Sequence, residues 1–195
     1  RVVKVIPSQA STTSVATEIL STFQQASVNG VPVNPWGVTA SALAIAPYFG
    51  GAIAGSGTSL ADSIVTNGEV NTITTAQILD RAEQLYLPPA LGFVTANRVI
   101  ADQYGLSLIT YEGGQHIVAT GNNVNNATLT AKLHAANRDP GMYDLYRLYL
   151  DGYTANGGTM FVHFDFCDGY DQYGSWGSLE HLTQPLSETP KYQAL

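Results

Sequence analysis

Glu112 is the residue of this chain best placed for chemistry. It closes a strand pattern within Leu106-Ser107-Leu108-Ile109-Thr110-Tyr111-Glu112-Gly113-Gly114-Gln115-His116, where apolar, β-branched and aromatic residues follow the breaker Gly105. The Gly-Gly pair permits a sharp turn and open space beside the carboxylate. Gln115 and His116 come next, so an acid, an amide and an imidazole gather where a structural strand would simply turn. Such a grouping suits a polar site. The plain alternative is a solvated glutamate at a strand end.

Other reactive residue types carry less. Cys167 is the only cysteine, which excludes an intrachain disulfide and a zinc site of cysteine type. It lies in Phe164-Asp165-Phe166-Cys167-Asp168, an apolar strand that suits a buried, inert thiol. His134 sits beside Leu133 in mid-helix and His181 lies downstream of Trp176, both as structural residues. His163 reads equally as pointing inward or as a core histidine. No histidine pair has zinc-ligand spacing with a third partner, and Asp165, Asp168 and Asp171 lack the other ligands of a calcium loop. Neither a metal nor a cofactor is expected.

These residues need elements to hold them. Strands are expected at 1–7, 42–47, 106–111 and 159–166, each followed by helical material. Helices are expected at 14–26, with Val15, Ile19, Leu20 and Phe23 on one face, and near 59–66 after a Gly/Ser-rich loop from Gly51 to Thr58. A further helix is capped by Thr74 or Thr75, runs across Ile78, Leu79, Ala82 and Leu85, and is broken by Pro88-Pro89. Others span about 90–104 (Leu91, Val94 and Val99 inward), 127–136 and 140–155 (stripe Leu145, Leu148, Tyr149, Tyr153), the last opened by Asp139-Pro140. Asn29-Gly30 closes the first helix, and 184–195 begins one more. Tyr143, Tyr146, Tyr149 and Tyr153, three and four apart, read as packing residues. Continuous apolar strands alternating with helices imply an α/β fold with parallel strands. Polar and aromatic residues collect at every carboxyl end, where a (β/α) barrel carries its site. A doubly wound sheet is the alternative, weakened by the lack of a G-x-G-x-x-G or Walker motif.

At 195 residues the chain suits one domain, 1–195. Charged residues make up 12%, about half the usual share, and polarity comes from Ser, Thr, Asn and Gln with 11 Tyr. That balance suits a secreted or extracellular protein meeting neutral ligands such as sugars. A net charge of −7 with eight scattered basic residues argues against nucleic acid, and no run of about 18 apolar residues predicts a membrane span. Four βα units are half of eight, and a half-barrel exposes its strand edges. With a first residue, Arg1, already in a strand pattern, the start reads as an internal cut. The other half, or a second copy of the chain, is the expected partner.

Tyr48 after a strand, Glu112 at a strand tip and Trp176 after the last strand resemble strands six, seven and eight of clan A glycoside hydrolases. The stretches Ala44-Ile45-Ala46-Pro47-Tyr48-Phe49-Gly50, Tyr111-Glu112-Gly113-Gly114-Gln115-His116 and Tyr173-Gly174-Ser175-Trp176-Gly177-Ser178-Leu179-Glu180 are similar to bacterial cellulose- or carbohydrate-binding proteins. The resemblance implies a TIM-barrel-like fold of which this chain is strands five to eight. It implies a retaining glycosidase on a polysaccharide or oligosaccharide, with Glu112 as nucleophile and Tyr48 hydrogen-bonded to it. Trp176 would stack on the sugar and wall an open cleft around Glu112. His116 would orient Glu112 or meet a hydroxyl, and Gln115 or Asp165 would bind hydroxyls. One departure stands out: the clan's acid/base, a Glu preceded by Asn on strand four, falls before Arg1. Asp165 and Asp168 are conceivable substitutes, with cap or loop roles as the alternative. A non-catalytic carbohydrate-binding protein is the second reading.

Overall fold

A computed structural model describes residues 2–52 and 57–195; Arg1 and residues 53–56 of the Gly/Ser-rich loop lie outside the described residues. In chain order the elements are β1 (Val5–Pro7), α1 (Thr13–Gln25), β2 (Ser27–Val28), β3 (Val31–Pro32), β4 (Ala42–Ile45), α2 (Leu60–Thr66), α3 (Thr75–Arg81), α4 (Leu87–Gln103), β5 (Ser107–Thr110), α5 (Ala127–Arg138), α6 (Gly141–Ala155), β6 (Gly158–Met160) and α7 (Pro190–Ala194). Strands β1, β4, β5 and β6 form one sheet in that order, and each adjacent pair is parallel. The fold is therefore α/β with a parallel four-stranded sheet.

The two faces of the sheet differ. Leu43, Ile45 and Leu108 pack with Ala16 and Leu20 of α1, Val94 and Ile100 of α4 and Tyr153 of α6. Ala42, Ala44 and Ile109 form a separate small cluster that contains no helix residue. In register with them, Val5 and Met160 are exposed. Helices thus cover one face, where a doubly wound sheet would be covered on both.

Several boundaries depart from the sequence pattern for identifiable reasons. Asn29-Gly30 does not close α1, which ends at Gln25; it is the two-residue turn of the β2–β3 hairpin, with φ of 52° and 78°. Pro88-Pro89 does not break the helix either. A π-helical turn over Ala82–Tyr86 widens the ladder, the Leu87 N–H reaches the Ala82 carbonyl, and the prolines fall in the first turn of α4, where a missing N–H is tolerated. The last strand stops at Met160 rather than 166. A bulge opposite Leu108 and Ile109 shifts the register, and the Val162 N–H then donates to the Thr110 hydroxyl at 2.6 Å instead of a ladder carbonyl. Of the expected inward residues, Ile19, Leu85, Val99 and Leu148 are exposed.

Side-chain caps start α2, α3 and α5, while α1 begins after Thr12 without one. Thr74 and Gln77 form a capping box, the Ser59 hydroxyl accepts from the Asp62 N–H, and Asn126 caps α5 through the Leu129 N–H. Gly158 is required by packing: a Cβ there would lie 2.2 Å from the ring of Tyr153. Gly158→Ala should lower stability by about 1–3 kcal/mol, read as a lower urea midpoint at unchanged m-value.

Candidate functional site

The chain segments leaving β4, β5 and β6 converge on Gly113-Gly114. The Gly113 carbonyl accepts from the Phe164 N–H at 2.9 Å, and the Gly114 carbonyl from the Phe49 N–H at 3.1 Å. Beneath this junction α6 presents Tyr146, Tyr149 and Tyr153 on one face, all buried. The Tyr149 hydroxyl donates to the Pro47 carbonyl at 2.7 Å and the Tyr153 hydroxyl to the Met160 carbonyl at 2.9 Å. The Gln115 N–H donates to the Tyr146 hydroxyl at 3.1 Å. A Cβ on Gly113 would meet the Phe161 ring at 3.0 Å and the Tyr149 hydroxyl at 3.2 Å. One on Gly114, whose φ is +146°, would meet the Tyr146 hydroxyl at 3.0 Å. The glycines do not leave open space. They let tyrosine hydroxyls reach the backbone.

The same junction fixes a histidine. His163 Nδ1 lies 2.9 Å from the Asp165 backbone carbonyl, which can only accept, so Nδ1 carries the hydrogen. Nε2 then accepts from the Tyr146 hydroxyl at 3.0 Å. Donors therefore run one way, from the Gln115 N–H through Tyr146 and His163 to the Asp165 carbonyl. Burial, reinforced by the Lys191 ammonium, pushes His163 down to about 4, which keeps the imidazole neutral.

Above this layer Glu112 stands half-buried just past the tip of β5. Burial acts first on the Tyr48 phenol, followed by the nearby Glu112 carboxylate, Tyr111 and then Asp165; together they hold it well above 10. The Tyr48 ring meets Trp176 edge-on at 6.1 Å and His116 at 5.9 Å, and His116 and Trp176 lie 5.1 Å apart. Phe164 extends this aromatic wall, 5.9 Å from Trp176. Tyr48, Glu112, His116 and Trp176 are thus brought together from three chain segments.

Two other expected residues take different places. Gln115 is buried; its Nε2 donates to the Ser175 carbonyl at 2.7 Å and its Oε1 accepts from the Ile117 N–H at 2.6 Å. It ties two loops together and offers nothing to a sugar hydroxyl. His116 packs between rings, and among the described residues no hydrogen bond joins it to Glu112. Its Nδ1 is buried without a hydrogen-bond partner, and burial pushes the imidazole below 6.5. Asp165 lies close enough for its charge to act on Tyr48. One carboxylate oxygen is buried and unpartnered; desolvation, then the neighbouring Asp168, raise this acid.

Tyr48 also lines a cleft of about 460 Å³, together with Gln9, Asp62, Tyr111, His116 and Thr120 among others. Glu112 and Trp176 are not in its lining, so the two do not share this cleft. None of its described lining residues is Lys or Arg. Asp62 is held below its ordinary range, against its own burial, by hydrogen bonds from Ser59, Asn123 and Thr120. That knot ties the first turn of α2 to the segment around Thr120 and Asn123, and its only sequence signal is the Ser59-x-x-Asp62 cap. Among the described residues no group of three or more His, Cys, Asp or Glu side chains could hold a metal ion. No helix there is long and apolar enough to cross a membrane.

The neutral His163 has a pH consequence. Its folded pKa lies below the unfolded value of about 6.5, so the unfolded chain binds the proton first and stability falls as pH drops from about 6.5 towards 4. The loss attached to this residue is on the order of 3 kcal/mol at pH 4. His163→Gln should remove that part of the acid limb in urea titrations at stepped pH. Tyr146→Phe, which strands the Gln115 N–H and His163 Nε2, should cost about 1–3 kcal/mol at pH 7.

Comparison of the chain with protein-family models, with curated proteins and with solved structures finds no match.

Proposed function

We propose that this chain is one half of a TIM-barrel-like glycoside hydrolase site, with β1, β4, β5 and β6 standing as strands five to eight. Glu112 is the nucleophile of a retaining reaction on a neutral polysaccharide or oligosaccharide. The observation that carries the reading is the Glu112 carboxylate lying close enough to Tyr48 for its charge to act on the phenol, at the ends of two adjacent parallel strands. A phenol kept protonated there orients the carboxylate for attack, and Trp176 against Tyr48 supplies an aromatic face beside it. The carboxylate adds to the anomeric carbon as the glycosidic bond breaks, and a general acid protonates the departing oxygen. Water then hydrolyses the glycosyl–enzyme ester.

The half-barrel part of the reading rests on the bare sheet face. Val5 and Met160 are exposed there, and β1 and β6 each have one unpaired edge. Four more parallel strands would cover both, and would carry the general acid to about 5–5.5 Å from Glu112. A neutral ligand fits the charge. Glu112 and Asp165 both act on Tyr48, and the cleft that this ring also lines has no Lys or Arg among its described lining residues, so an anionic glycan would be repelled.

Carbohydrate binding without turnover is favoured by one observation. Asp165, the other carboxylate that acts on Tyr48, has an oxygen buried without a partner, a poor posture for protonating a leaving group. The two readings separate by experiment. Calorimetric titration with neutral oligosaccharides should show Trp176→Ala weakening binding about tenfold, the equivalent of about 1.4 kcal/mol, and Glu112→Gln leaving it nearly unchanged. The chain alone should release no reducing sugar, since a missing general acid removes about 10²–10⁴-fold. With the complementary half present, Glu112→Gln should nearly abolish turnover. Turnover retained in that variant sinks the nucleophile assignment, and no turnover by the unmutated assembly favours pure binding.

A further inference from the structure

The polar cluster beneath the Trp176 loop takes no part in the steps above. Lys191 of α7 is fully buried, and a buried ammonium survives only with partners. Its Nζ donates to the Ser175 carbonyl, lies 4.6 Å from the centre of the Tyr170 ring, and faces the charges of Glu180 and Asp165. The Ser175 carbonyl is also the acceptor for Gln115, and its peptide leads directly into Trp176. The Trp176 carbonyl in turn accepts from the Asp165 N–H at 3.1 Å. A single cation is thus bonded one residue from the aromatic platform, and it is also the charge that favours ionised Asp165.

We propose that Lys191 is a positioning residue: its charge holds the Ser175–Trp176 peptide against the Tyr48–His116 wall and stabilises the Asp165 carboxylate. Trp176 and Asp165 then answer to the charge of a side chain that never reaches the surface. The inference rests on Trp176 and Asp165 belonging to the site proposed above.

The surroundings of Lys191 are mixed in sign. Glu180 and Asp165 favour its charge, while His163 faces it as a neutral group. From α5, Arg138 stacks on the same Tyr170 ring at 5.2 Å and pairs with Glu180, and His134 lies 5.9 Å from that ring. From α6, Arg147 donates to the Ala194 carbonyl at the end of α7. Burial outweighs the two carboxylates and pushes Lys191 down to about 7, so its charge changes within the neutral range.

The chain has two tryptophans, and Trp36 is almost fully exposed, so Trp36→Phe leaves Trp176 as the fluorescent reporter. In that background the emission should change between pH 6 and 8 with a midpoint near 7. The transition should be lost in Trp36→Phe/Lys191→Met and in Trp36→Phe/Lys191→Gln. A transition that persists in either, or none in the parent, overturns the proposal. Should both variants fail to fold, the unmutated chain decides. It has three lysines, and isotope-labelled lysine NMR should show one side chain titrating near pH 7. No lysine titrating below about pH 9, well short of the free value near 10.4, also overturns it. Neither readout involves a glycan, so the outcome is independent of whether Glu112 is a nucleophile.

Discussion

Three tyrosine hydroxyls on one face of α6 hold the carboxyl ends of three strands. They bond to backbone groups at Pro47, Gln115 and Met160, across sequence separations of 102, 31 and 7 residues. The strands themselves are three or four residues long, too short for ladder bonds alone to fix where their outgoing loops go. Each pin adds only about 0.5–1.5 kcal/mol net. Their larger effect is on uniqueness, because every misplacement leaves a buried donor or acceptor unmet. Glu112 stands directly before this junction, so its position follows from a helix that never touches the cleft.

The charged groups above the junction are balanced by placement more than by pairing. Glu112 and Asp165 approach a phenol that stays protonated, and the cation that acts on Asp165, Lys191, is itself fully buried. Part of the negative charge is thus compensated from inside the fold, by a side chain that solvent does not reach.

How far the sequence spoke for this arrangement depended on distance along the chain. Periodicity located four parallel strands, and Thr74 marked the start of α3, because these signals are local, while the strand order came with the barrel reading. The aromatic group of Tyr48 and Trp176 around Glu112 was legible through strand ends and resemblance. Gln115 was not, since its amide looked like a ligand group until its partners, the Ser175 carbonyl and Ile117 N–H, were in view. Gly113-Gly114 misled in the same way: the pattern signals a missing side chain, and only the fold shows tyrosine hydroxyls filling the place. Lys191 had no signal, because one lysine in a short terminal helix is ordinarily solvated.

The bare sheet face also bears on how the molecule behaves in solution. Two unpaired parallel edges beside exposed Val5, Met160, Val162 and Phe164 form a template for strand-to-strand association. Opposing this is a formal charge of −7, which makes copies repel one another at low ionic strength. Salt screens that repulsion over about 10 Å at 0.1 M, and acid removes it as carboxylates protonate. Colloidal stability of the isolated chain is thus governed by electrolyte and pH, and a partner laid along both edges would release it from that dependence.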